Sequence, residues 1–430
     1  MKWFASFLLT LQAIGLYAAK PDPTAQYVAS LKRVTDIMVS DVTSPVAAAR
    51  YYAYTTLAAY EVLAGLRPEA YPPLSSALTH GVHLELPAVK EKDVLSCSVL
   101  AMWKTAYGLL PSGSSLKPAI DSLSAKLPAS SLNLVDKTVS QVLAWVSKDG
   151  FQQLNNLKRY TPKRGPEYWQ PTPPAFMAPV EPHWNTIRPF LLDSANQFLT
   201  RPPAAFDLNP GAPFYVLMEE VYQAVKEKDR EKEAIANFWD CNPYTISQMG
   251  HVEFGLKKIS PGGHWMGIAG VACKKSRFDL GKTMLTHALV AITLHDAFIA
   301  CWDEKYRSDR IRPETVINNH LDRSWKPILQ TPPFPEYVSG HSVASSASGI
   351  VLTAAFGEAY SFSDDVEVEY GLPVRKFSSF QHAAEEASIS RLYGGIHFRD
   401  AIDQGIWQGK EVGALIHTKL KAFFDLLKKP

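Results

Sequence analysis

LTHALVAITLHDAFIACWDEKYR, residues 285–307, decides the fold class. Its apolar residues recur on a helical period, without Pro or Gly, and it reads as one long helix. His287, His295 and Asp296 interrupt the apolar run Leu285–Trp302. Spanning a bilayer takes ~20 mostly apolar residues, so a soluble protein without membrane association is expected.

Working outward from this helix, Ser339 to about Phe356 reads as a second helix and 380–393 as a third. Toward the N-terminus, Val28, Leu31, Val34 and Ile37 mark one buried helical face. Ser44-Pro45 opens a helix through Leu63, with Gly65 expected just past its end. Further helical patterns cover roughly 90–109, 115–127 and 133–148. Residues 161–213 carry PTPPAF, APVEP, RPPAAF and NPGAP and are expected to run as extended surface loop. A charged helix is expected over roughly 214–238, then a loop rich in Gly, Pro, Asn and His around 241–273. Val366–Tyr370 and Val374–Phe377 are the only strand-like text, a possible small hairpin. The reading is all-α: two packed helical bundles sharing one core, a single domain over 20–430.

Composition narrows the function. Of 430 residues, 46% are hydrophobic and 20% charged, and 44 basic against 42 acidic side chains leave a net charge of +2. No global field is available to hold nucleic acid, so charge must act locally. Lys2, the apolar run Trp3–Tyr17 and the pair Ala18-Ala19 have the order of a secretory signal. Residues 1–19 are expected to be cleaved, giving a secreted or periplasmic protein; the alternative is an uncleaved anchor. Export permits disulfides. Cys241 and Cys273 lie in loop-like text and are the expected pair, whereas Cys97 and Cys301 lie in helical patterns as buried thiols. No Cys/His spacing suggests zinc, and His251 and His264 read as structural.

Three segments within 280–415 place cations, donors and imidazoles in order. Trp302 and Lys305 precede Arg312-Pro313; Lys305 and Arg312 are seven apart, so two helical turns would put both on one side. A solvated basic stripe with Arg307 and Arg310 is the plainer account. Pro332-Pro333-Phe334-Pro335-Glu336-Tyr337-Val338 runs into Ser339-Gly340-His341 at a helix start. Free N–H groups there favour an anion, Ser339 adds a hydroxyl, and Gly340 admits close approach. The plainer account is an N-cap beside a surface His. Ser390-Arg391 precedes the turn Gly394-Gly395 and then His397; a Gly-terminated helix with a satisfied His is its plainer account. Taken together, one Lys, two Arg, a hydroxyl, an amide and two His suit an oxyanion carrying two or three charges. One His can serve as nucleophile or ligand and the other can move protons.

This order, K-x6-RP, SGH, SR-x5-H over residues 302–397, resembles the superfamily uniting vanadium-dependent haloperoxidases, type-2 phosphatidic acid phosphatases and bacterial acid phosphatases. The resemblance implies vanadate as cofactor, with His397 as its axial ligand. Lys305, Arg312, Ser339, the Gly340 amide and Arg391 would hold the equatorial oxygens, and His341 would act as acid–base. Lys305 would also polarise peroxide for attack by halide. Trp302, three before Lys305, and Phe334, seven before His341, match aromatics on the halide side in the haloperoxidases. The text looks most like exported bacterial iodoperoxidases, which adds Asp303 and Tyr244 to that pocket and favours iodide, then bromide. Hydrogen peroxide and halide are the implied substrates. The alternatives are an acid phosphatase, phosphorylated on His397 with His341 protonating the leaving alcohol, and an oxyanion binder without turnover. Two departures are visible: Val338 stands where the family has Pro, and Ala401 where it often has Asp, leaving the partner of the second His397 nitrogen undetermined. Asp296 is a candidate support.

Overall fold

The computed structural model describes residues 22–249 and 252–429, so the signal-like run and His251 lie outside the described residues. Asp22 caps α1 (Pro23–Ser40) and Ser44 caps α2 (Pro45–Leu66), each followed by a proline whose missing N–H costs nothing in a first turn. Gly65 falls inside α2 rather than after it. Helices α3 (Val94–Leu109), α4 (Lys117–Ser124) and α5 (Ala129–Val146) complete the N-terminal bundle. The proline-rich stretch is irregular as expected, holding only the short turn Trp184–Thr186.

The charged helix expected over 214–238 is two helices, α6 (Pro213–Lys226) and α7 (Arg230–Phe238), separated where Lys228 takes φ +53°. The loop expected around 241–273 is corrected more deeply. It contains an antiparallel hairpin, β1 (Ile246–Met249) with β2 (Val252–Gly255), and then helix α8 (Pro261–Lys275). Ser260 accepts from the Gly263 amide at 3.1 Å and Pro261 starts the helix. Turn-like Pro-Gly-Gly text is here a helix entry.

Helix α9 (Leu280–Ser308) runs through the centre. By length and composition it could cross a membrane, yet its apolar window is 100% buried within the fold. It packs against α2 and α8 on the N-terminal side and against α11 (Gly340–Phe356) and α13 (Arg399–Lys419) on the other, with α10 (Pro313–His320) following it in the chain. Hairpin β3 (Phe362–Asp364) with β4 (Arg375–Phe377), helix α12 (Phe380–Tyr393) and α14 (Lys421–Lys428) complete the described elements. The expected hairpin is thus displaced: Val368–Tyr370 forms a 3-10 turn instead of a strand.

One apolar cluster runs from Tyr27 to Leu427 and takes in both bundles. Close helix approach in the C-terminal bundle depends on small residues. A Cβ on Gly409 of α13 would lie 2.3 Å from the Val343 carbonyl of α11, and one on Gly405 2.9 Å from that of Ser339. Those contacts seat α13 directly on the start of α11.

Asp296 has a different task from the one suggested. Its carboxylate accepts backbone N–H bonds from Phe190 at 2.7 Å, Leu191 at 2.7 Å and Leu192 at 3.0 Å. It pins the irregular stretch to α9. All four cysteines are free and buried, so the expected Cys241–Cys273 disulfide is absent. Cys273 sits inside α8 and Cys241 before β1, so their helical and loop positions do not bring them into bonding contact.

Candidate active site

Lys305 and Arg312 converge, but not by two turns of one helix. α9 ends at Ser308, Asp309 adopts a left-handed φ of +55°, and Arg312 is the N-cap of α10. The chain therefore turns between them. The Asp309 carbonyl accepts from the Trp169 amide at 2.8 Å, which ties this turn to the proline-rich stretch.

Lys305 and Arg312 are 0% exposed and Arg391 1%. Burying a charge is costly unless something compensates it, yet none of the three forms an ion pair among the described residues. Lys305 Nζ donates to the carbonyls of Pro335 at 3.0 Å, Glu336 at 3.1 Å and Val338 at 2.5 Å. Arg312 donates from Nε to Phe334 O at 2.9 Å and from Nη1 to Ile396 O at 2.9 Å; its Nη2 is buried without a partner. Arg391 donates from Nε to Ser390 Oγ at 2.9 Å and from Nη2 to Trp239 O at 2.7 Å. Burial pulls the Lys305 ammonium down to about 7, and neighbouring Arg312 adds to this. Arg312 is lowered to about 10 by burial. Among the described residues no carboxylate makes direct contact with these three cations, although Glu336 acts on Lys305 and Arg312 from a distance.

His397 is held by Glu336, a residue the sequence reading did not single out. Glu336 Oε1 lies 2.8 Å from His397 Nδ1 and also accepts the Phe398 amide at 3.0 Å. Its Oε2 accepts Arg310 Nε at 2.7 Å, and Arg310 forks onto Asp400 at 2.7 and 2.6 Å. The chain Asp400–Arg310–Glu336–His397 thus answers which group supports the second ring nitrogen. A carboxylate can only accept, so Nδ1 carries the proton and Nε2 presents its lone pair. That Nε2 is 3.2 Å from Arg312 Nη1. Burial, then the charges of Arg312, Lys305 and Arg391, hold the ring well below its ordinary pKa, so it is neutral.

Ser339 caps α11, its Oγ accepting from the Ser342 amide at 3.3 Å while its own amide donates to Ala401 O at 3.0 Å. Gly340 lies beside Trp302 and Lys305: a Cβ there would stand 3.6 Å from the indole and 3.9 Å from the lysine stem. His341 follows, half-buried, with Nε2 buried and without a partner. Burial and then Arg391 and His397 hold it well below its ordinary pKa. Trp302 and Phe334 meet with ring centroids 5.0 Å apart, and Lys305 Nζ lies 5.8 and 5.1 Å from their centroids.

Asp303 and Tyr244, the other two expected pocket residues, have partners of their own. The Asp303 carboxylate is engaged by Asn185 at 3.0 Å and Arg307 at 3.3 Å. Tyr244 lies in the field of Glu181 with its hydroxyl bonded toward Ser44, and burial raises its pKa. Trp302 and Phe334 stand against Lys305, while Asp303 and Tyr244 make their polar contacts with Asn185, Arg307 and Ser44. Only the loop placement of His264 is corrected: it stands in α8, wholly buried, with Asp364 and Glu367 against its two ring nitrogens.

The helical fold gathers three buried cations without an ion-pair partner among the described residues beside two imidazoles, an arrangement suited to an oxyanion. Residues 285–426 match the family described as "VCPO second helical-bundle domain". A solved bacterial vanadium-dependent iodoperoxidase is 44% identical, covering 92% of this chain and 96% of its own, with a TM-score of 0.84. A holo-type bacterial vanadium-dependent chloroperoxidase, 16% identical over 89% of this chain and 93% of its own, shares the fold with a TM-score of 0.68. No curated protein matches the sequence. The chain belongs to the vanadium-dependent haloperoxidases.

Proposed function

We propose that this protein oxidises halide with hydrogen peroxide, iodide before bromide, at vanadate held in the cradle just described. The observation that carries the reading is the pair of buried, unpartnered nitrogens, Arg312 Nη2 and His341 Nε2, set beside cations that form no ion pair among the described residues. An oxyanion would satisfy both. The residues fit the cofactor: His397 Nε2 would ligate it, and Lys305, Arg312, Ser339, the Gly340 amide and Arg391 would hold its oxygens. Vanadate, remaining oxidised, supplies Lewis-acid activation of peroxide toward halide.

The chain's own groups do the rest. Glu336 fixes the His397 tautomer that leaves Nε2 free. Lys305 regains its charge when an anion sits beside it and is placed to polarise peroxide. His341, neutral in the free protein, accepts or returns a proton at Nε2. One halide, one peroxide and one proton give one hypohalous acid and one water, and His341 is the group placed to handle that proton. Trp302 and Phe334 line the side on which a large, weakly hydrated halide is favoured. Iodide preference is supported by the relative described as an iodoperoxidase. Residues 1–19 support export of the enzyme, which N-terminal sequencing of secreted protein tests.

The decisive assay reconstitutes purified protein with orthovanadate and supplies peroxide with iodide, then bromide. Triiodide formation that disappears in His397→Ala is the expected result. Phosphate release from a model ester, with no halide oxidation at any vanadate level, overturns the reading.

A further inference from the structure

Beside the oxyanion cradle lies a second cluster that the peroxidase reaction does not use. Cys241 follows α7, His264 lies in the first turn of α8, and Glu367 caps the turn Val368–Tyr370 between β3 and β4. All three are buried. Cys241 Sγ is 3.5 Å from His264 Nδ1 and 3.7 Å from Glu367 Oε1, while His264 Nδ1 is 3.2 Å from Glu367 Oε1. These lengths resemble the edges of a coordination tetrahedron. Zn–S of about 2.3 Å with Zn–N and Zn–O of about 2.0–2.2 Å gives edges of about 3.5, 3.6 and 3.3 Å.

The surroundings add an independent sign. His264 Nε2 is 2.8 Å from Asp364 Oδ2, the carboxylate–imidazole pairing that orients a metal-binding histidine. Trp239 stacks on the imidazole at 4.6 Å and 24°, fixing the plane of the ring. We propose that Cys241, His264 and Glu367 bind a zinc(II) ion, with Asp364 holding His264 in place and water in the fourth position.

Asp364, Asp240, Arg391 and His341 are the charged or titratable groups around this cluster. The site also touches the cradle, because the Trp239 carbonyl accepts from Arg391. An ion here would staple the loop that orients Arg391.

The test uses full-length protein, freed of vanadate and metals, titrated with zinc(II) and then cobalt(II). One ion per chain is expected, with a near-ultraviolet thiolate-to-cobalt charge-transfer band that is absent in Cys241→Ser. Thiolate ligation requires the Cys241 proton to leave, so zinc affinity is expected to rise with pH. Asp364→Asn, which retains all three ligands, is expected to weaken zinc by about 10–100-fold at unchanged stoichiometry, and needs no ligand substitution to fold. Folded protein with normal circular dichroism that retains no zinc and shows no cobalt band overturns the site, leaving His264 as a structural contact to Asp364 and Glu367. So does a band that survives in Cys241→Ser. Neither result depends on halide turnover.

Discussion

Glu336 decides what the ring of His397 can do. By accepting Nδ1–H at 2.8 Å it leaves Nε2 as a lone pair, and Arg310, itself anchored on Asp400, holds the Glu336 carboxylate in place. Glu336→Gln keeps the shape but offers a neutral amide that can present either a donor or an acceptor to Nδ1. Vanadate affinity is expected to fall by about 10–100-fold, the usual cost of losing a group that supports a metal ligand. Equilibrium dialysis checks it, and an unchanged affinity would refute the role. Lys305 carries a pH signature. Its pKa of about 7 in the free protein must rise when an anion comes beside it, so binding takes up a proton wherever that proton has been lost. Affinity is therefore expected to fall as pH rises above about 7, by up to tenfold per unit. Lys305→Met binds more weakly but with a shallower slope. Vanadate's own ionisation is common to both proteins, so the difference between the slopes isolates the lysine.

At the scale of elements, the turn that closes α12 places His397 relative to Arg391. Gly395 takes φ +78°, and the Ile396 amide returns to the Arg391 carbonyl at 3.1 Å. Gly395→Ala would bring a Cβ to 2.9 Å from Val225 Cγ2 and 3.1 Å from Pro327 Cα. Left-handed strain alone costs about 1–2 kcal/mol, and relieving the overlap moves His397. Lower thermal stability and weaker vanadate binding together are expected; stability lost with binding intact would place the turn outside the site. This double-glycine turn was legible in the sequence because glycine is the local reason for it. The segment SGH was legible on the same grounds, since proline, serine and glycine announce a helix start. Arg312 was found for the wrong reason, because nothing in Ser308-Asp309-Arg310 marks the break that ends α9. Glu336 was missed since its partner is 61 residues away and only packing brings them together. His264 was placed in a loop because Pro-Gly-Gly looks like a turn and here enters a helix; its partner Asp364 stands 100 residues further on.

For the whole molecule, the position of α9 settles how ligand energy is distributed. The helix carries Lys305 at one end, His287 near the other, and packs on both bundles along its length. A single apolar cluster continues through both halves, and Asp296 ties the proline-rich stretch to the same helix. Trp302, Phe334 and Val338 beside the cradle belong to that cluster, whereas Ile311, Ile396 and Phe398 pack in smaller ones; loosening the N-terminal bundle therefore exposes core shared with one wall of the cradle. Unfolding is accordingly expected as one cooperative transition. A ligand binding only the folded state adds RT ln(1 + [L]/Kd), about 2.7 kcal/mol at a hundredfold excess over Kd. Vanadate should therefore move the entire transition to higher temperature, including signals from tryptophans far from the site such as Trp145 in α5. His397→Ala should show the same single transition without the shift. Two calorimetric peaks, of which vanadate moves only one, would mean the bundles unfold separately, and the shared core would not be the unit that holds the active site together.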